Sequence, residues 1–149
     1  VREIFTTNIA GVLNIVLPVI KKMQEQGRGQ IAIMSSMAAM RGLPSASAYS
    51  ASKACVKAYG QALRGSLYED GIEVNVICPG YVKTPLTDVN NFPMPFLMDT
   101  DKASRIIRKG LEKNRAIIAF PKTMHFFLKL TNAFPSFVTD WFFRKLPKK

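Results

Sequence analysis

Histidine and cysteine are scarce in this chain, with one of the first and two of the second among 149 residues. The single histidine, His125, with no C-x-x-C spacing, leaves no ligand set for a metal site. Ser-His-Asp hydrolysis would need His125 beside a serine, and no G-x-S-x-G turn presents one. Cys55 and Cys78 cannot form a disulfide framework. Both are expected to be buried thiols, which fits a reducing compartment. Acidic residues are short as well, 10 against 21 Lys and Arg, for a net charge of +11. That balance suits nucleic acid, an anionic membrane or an acidic ligand. No helix-turn-helix, zinc-finger or RNA-binding sheet motif is visible and the basic residues are scattered, so nucleic acid is not an expected partner. The aromatic stretch after Phe120 lacks an uninterrupted apolar run. Lys129, Pro135, Asp140 and Arg144 break it, against a simple membrane span there.

What is present is an ordinary globular composition, 48% apolar. Residues 2–26 read as an amphipathic helix (Ile4, Ile9, Val12, Val16, Ile20) that ends at Gly27, with Pro18 as a bend or break. Short apolar runs at 30–35, 73–78 and 116–120 read as buried strands. Helices at about 49–68, closed by Gly71, and at 101–113 join them, which implies parallel crossovers and an α/β sheet covered on both faces.

The densest chemistry lies in Tyr49-Ser50-Ala51-Ser52-Lys53. Four residues apart on a helix, Tyr49 and Lys53 share a face. An ammonium beside a phenol favours the phenolate, which makes a proton donor and acceptor for alcohol oxidation or carbonyl reduction. The pair alone is a weak signal, because short motifs arise by chance. Ser36 closes the first strand, and ligands of open α/β sheets sit beyond the carboxyl ends of strands. Asn8 precedes that strand within Asn8-Ile9-Ala10-Gly11. The second strand ends in Pro79-Gly80, followed by Tyr81-Val82-Lys83-Thr84-Pro85. Each residue also has a plainer reading: Asn8 as a helix polar residue, Ser36 and Thr84 as turn or cap residues, Pro79-Gly80 as a turn.

Taken together, these elements resemble the short-chain dehydrogenases/reductases over roughly residues 1–121. The resemblance implies the last three strands, with flanking helices, of a partial Rossmann-like, doubly wound parallel sheet. It implies an NAD(P)(H) cofactor, with NAD or NADP undetermined, and a small alcohol or carbonyl substrate. By the same resemblance Tyr49 is the acid/base, and Lys53 assists it and holds the nicotinamide ribose. Ser36 holds the substrate oxygen. Asn8 anchors a relay water through its backbone. Pro79, Gly80, Val82 and Thr84 contact the nicotinamide end. The helix carrying Tyr49, with Ala54, Ala58 and Ala62, often forms a dimer interface in the family, so a homo-oligomer is expected of the full-length form.

The family's glycine-rich phosphate turn has no counterpart. Gly27-Arg28-Gly29-Gln30-Ile31-Ala32 has matching letters, but it leaves a helix and enters a strand, the reverse of the required order. The expectation is a C-terminal part of a longer protein, with an open sheet edge that makes the chain poorly soluble or partly folded if expressed alone. A truncated, non-catalytic interaction or membrane-surface module is the alternative. Residues 84–100, rich in Phe, Met and Pro, read as a substrate loop whose apolar content favours a lipophilic substrate, or as core packing. Residues 122–149 form a separate basic aromatic tail. It suits an anionic membrane surface, the substrate pocket or a partner subunit, and the sequence leaves these open. The expected location is cytoplasmic, with membrane association through this tail one of the options.

Overall fold

A computed structural model describes residues 1–88, 93–135 and 137–139. Residues 2–26 are helical throughout: α1 (Arg2–Phe5), a π-helical turn (Thr6–Ala10) and α2 (Gly11–Gln26). The helix runs through Pro18, so this proline neither breaks nor ends it. Gly27 ends it with φ 64°. The Gly27 and Arg28 amides donate to the Gln24 and Met23 carbonyls, satisfying the last turn as a left-handed glycine cap does.

Three parallel strands follow in the order β1 (Gly29–Met34), β2 (Ile72–Pro79), β3 (Ile117–Phe120). Gly29 pairs with Ile72 and Val76 with Ile117. The strands stand within one residue of the expected ones. β2 lies between the other two, and its run Val74–Cys78 is buried on both faces, as a parallel sheet requires. On one face α2 and α3 (Ser47–Ser66) enclose Val16, Ile31, Ile33, Val56, Leu67, Ile72 and Val74. On the other, α5 (Thr100–Glu112) covers Ile77, Ala103, Ile118 and Phe120. Helices on both faces make the sheet doubly wound. β1 is bare on the α5 side, with Met34 48% exposed. α3 sits very close to the sheet at Gly60, where an added Cβ would lie 2.6 Å from the Val76 side chain.

Several local features differ from the sequence reading. α3 starts at Ser47, with no side-chain cap, and stops at Ser66, so Gly71 belongs to the following turn. The loop before it contains two 3-10 turns, Met37–Ala39 and Pro44–Ala46. Cys55 is exposed and only Cys78 is buried. Ser52 and Val56 hold the inward face of α3, and Cys55, next to Val56, points elsewhere. α4 (Pro85–Asp88) is a short turn of helix within the proposed substrate loop. α6 (Lys122–Ala133) packs Leu128 and Met124 against Met37, Met40, Leu43 and Ala119. Phe92, Asp140, Arg144, Lys145, Lys148 and Lys149 lie outside the described residues. The helical stretch Arg2–Gln26 is long and apolar enough to cross a membrane by length and composition alone. In the fold, however, Val16 and its neighbours Ile9, Val12, Ile20 and Met23 pack on the sheet.

Candidate active site

The carboxyl ends of β1 and β2 lie side by side, since the Ser35 amide donates to the Ile77 carbonyl at 2.8 Å. The first turns of α3 lean over this edge. The Ser35 hydroxyl donates to the Lys53 carbonyl at 2.8 Å, fixing the helix against the strand end. The Lys53 side chain reaches back the same way. Its Nζ donates to the Met34 carbonyl at 3.2 Å and stands 5.8 Å from the centre of the Tyr49 ring. The spacing of four therefore places cation and phenol on one side of the helix. Burial holds the Lys53 ammonium below its ordinary range. Tyr49 remains 38% exposed, open to a ligand.

Ser36 starts the turn Met37–Ala39, and its Oγ accepts from the Ala38 amide at 3.1 Å. The plainer turn-starting role is thus filled. A hydroxyl has two acceptor sites and one donor, so the Ser36 O–H proton is not consumed by this bond. Asn8 lies in the π-helical turn, a feature frequent at functional sites. Its Nδ2 donates to Ser52 Oγ at 3.0 Å, and that hydroxyl donates to the Tyr49 carbonyl at 2.8 Å. The first helix is thereby tied to the turn that carries Tyr49.

Beyond β2, Gly80 donates to the Phe120 carbonyl at 2.7 Å, which draws Pro79 and Gly80 toward β3. Val82 pairs with Met98 in an isolated bridge. The Thr84 amide donates to Thr87 Oγ1 at 2.8 Å, and its hydroxyl lies 3.4 Å from the same oxygen. Thr84 is thus placed by its own loop, not by contact with Tyr49 or Lys53. Tyr81, given no role from sequence, belongs here. Burial pushes its phenol up, and the nearby Tyr49 pushes it the same way. The sequence signal available for Tyr81 is an aromatic straight after Pro79-Gly80. A cleft of about 440 Å³ opens between residues 38–44 and Ser47, Ser50, Ala51 and Ala54; its lining includes neither Tyr49 nor Lys53. Among the described residues no group of His, Cys, Asp and Glu could hold a metal ion.

The fold agrees with comparisons to known proteins. A family model, short chain dehydrogenase, matches residues 1–93. An uncharacterized oxidoreductase of Myxococcus xanthus is 38% identical over 98% of this chain and 58% of its own length. A short-chain dehydrogenase from Streptomyces avermitilis superposes with a TM-score of 0.74 at 22% identity, over 94% of this chain and 60% of that one. One from Sphingobium yanoikuyae, solved in complex with NADPH, gives 0.72 at 22% identity over 78% of this chain and 46% of that one. These two likenesses are of fold. The chain thus spans 46% to 60% of the length of these relatives. The family match extends from the first helix past the Thr84 segment, and this chain belongs to the short-chain dehydrogenase family of oxidoreductases.

Proposed function

We propose that the protein carrying this chain is an NAD(P)-dependent oxidoreductase interconverting an alcohol and a carbonyl on a lipophilic compound, with Tyr49 as the acid/base. One observation carries this reading: the Lys53 ammonium, anchored on the Met34 carbonyl, stands 5.8 Å from the Tyr49 ring at the carboxyl end of β1. When bound, a nicotinamide cofactor supplies or accepts the hydride at carbon. In the reducing direction the Tyr49 hydroxyl gives its proton to the substrate oxygen. The Ser36 O–H donates to the same oxygen as negative charge gathers there. In the oxidising direction Tyr49 takes the alcohol proton back.

The residues present fit the nicotinamide end of such a cofactor. Lys53 spends one N–H on Met34 and keeps two donors for ribose hydroxyls. Pro79, Gly80, Val82 and Thr84 follow the neighbouring strand end. No phosphate cradle stands among the described residues; Gly27 and Gly29 lie at the opposite, amino end of β1. The Sphingobium neighbour was solved with NADPH, which supports the class of cofactor but does not decide between NAD and NADP here. One N–H of the Asn8 side chain is engaged with Ser52, and the relay role assigned to Asn8 belongs to its backbone. The lipophilic preference rests on Phe96, 59% exposed, which together with Leu97, Met98, Asp99, Lys102 and Pro121 lines a cleft of about 260 Å³. An aromatic so exposed is not core packing.

The test uses the full-length protein. Tyr49→Phe should lower kcat/KM about 10²- to 10⁴-fold, the usual contribution of a positioned proton donor. Calorimetric titration with NADH and NADPH should still show binding of one of them. Undiminished turnover would refute the acid/base role. No heat with either nucleotide would favour the truncated, non-catalytic reading.

A further inference from the structure

α6 is apolar on two sides. Its inner side is occupied by Leu128 and Met124, and Asn132 pins it by donating to the Met40 carbonyl at 2.7 Å. Phe126 and Leu130, one turn apart, share the side turned away from Leu128, with Phe127 at its margin. Phe126 is 70% exposed, and beyond the helix Phe134 and Phe137 are exposed too, Phe137 at 77%. Bare aromatics at this density mark an interaction surface. Lys122 and Lys129 are exposed and sit one turn before and one turn after Phe126. From Pro121 to Lys149 the sequence has Lys122, Lys129, Arg144, Lys145, Lys148 and Lys149 against Asp140 alone.

We propose that this face of α6 docks on an anionic membrane surface, with Phe126 and Leu130 entering the headgroup boundary and Lys122 and Lys129 meeting lipid phosphates. The inner contacts of α6 are already made, and among the described residues no core covers Phe126 or Leu130. A second copy docked through the same face would bring like charges together, which opposes association. An anionic bilayer attracts those charges and takes up aromatic side chains at its interface. The proposal is independent of the oxidoreductase reading, because none of these residues has a role in the proposed reaction.

The test is co-sedimentation of the full-length protein with vesicles of phosphatidylcholine alone and of phosphatidylcholine with about 30% phosphatidylglycerol, at about 0.1 M and about 1 M salt, where screening lengths differ about threefold. Binding should appear only on the anionic vesicles and fade at high salt. Lys122→Gln should weaken it about fivefold, and Lys129→Gln added to it about fivefold again. Phe126→Ser with Leu130→Ser should weaken it at least tenfold, with the thermal melt and the enzymatic activity unchanged. No sedimentation with anionic vesicles overturns the proposal, as does sedimentation that the serine and glutamine variants all retain. A dimer in light scattering that Phe126→Ser with Leu130→Ser dissociates would assign the face to a second copy instead.

Discussion

The two ends of the same three strands use polar groups in opposite ways. At the amino end the network closes on itself. Gln30 donates to Asn75, and Asn75 donates to Asn114 and to the Arg115 carbonyl. Arg64 donates to the Val74 carbonyl at 2.7 Å and to Asn114 at 2.6 Å. Asn114 takes φ 43° just after α5, a backbone state that asparagine tolerates. Asn75 is 0% exposed, with its amide oxygen and both its N–H groups engaged. At the carboxyl end, bonds are left over: the Ser36 proton, two protons of Lys53, and an open Tyr49. Saturated polar groups lock a fold, whereas unsaturated ones next to an opening are available for chemistry.

Substituting Ser36 and Asn75 in turn should separate these two uses. Ser36→Ala should lower kcat/KM about 10²- to 10³-fold, as loss of one donor to a developing oxyanion does. It should cost only about 1 kcal/mol of stability, the value of a lost turn cap. Asn75→Leu should do the reverse. It keeps the branched shape, though with bulkier methyls, and strands the Arg115 carbonyl and one bond of Gln30, for about 2–3 kcal/mol of stability. Measured as a urea midpoint, that loss should leave KM and kcat of the folded fraction unchanged. If Ser36→Ala were the less stable of the two and Asn75→Leu the slower enzyme, the contrast between the ends would be wrong.

Much of this arrangement is local and so legible in sequence. β2 reads as a strand because Val74–Cys78 is a continuous apolar run, and Tyr49 with Lys53 reads as a pair because their spacing is one helical turn. What escaped was decided by packing over long separations. Asn8 meets Ser52 across 44 positions, and Tyr81 comes near Tyr49 only once β2 lies against the strand ahead of α3. The sequence marks the start of α3 only to within two residues, because no side chain caps it. Cys55 was expected inside because cysteine usually is, but the face its helix presents to the sheet overrode composition. The exposure of Phe96 and Phe126 was equally hidden, since an apolar run looks the same whether it is covered or bare.

Acidity offers a finer probe of the reactive end. Burial holds Lys53 below the ordinary lysine value of 10.5. Its charge is lost as pH rises through that lowered value, so the alkaline limb of kcat/KM should fall at lower pH than a free lysine would give. Unfolding restores the ordinary value. Between the two values the unfolded chain binds more protons, so stability from this group rises with pH across that window. Urea midpoints at about pH 8 and about pH 10 should therefore shift further upward in wild type than in Lys53→Met. Equal shifts in the two proteins would remove the burial argument.

The smallest effect expected belongs to Tyr81, and it decides which phenol does the work. Both phenols lie at the carboxyl end, and either could in principle hand a proton to a carbonyl oxygen. Burial pushes Tyr81 up, and Tyr49 adds to that push, so Tyr81 keeps its proton at working pH and is a poor base. Tyr49 has the ammonium of Lys53 beside its ring. Tyr81→Phe should therefore change kcat by less than about threefold, against the hundredfold or greater loss expected of Tyr49→Phe. Steady-state kinetics on the two variants, side by side in the full-length protein, make the comparison. Equal losses would spread the proton transfer over both phenols, and a larger loss at Tyr81 would move the acid/base from α3 to the segment after β2.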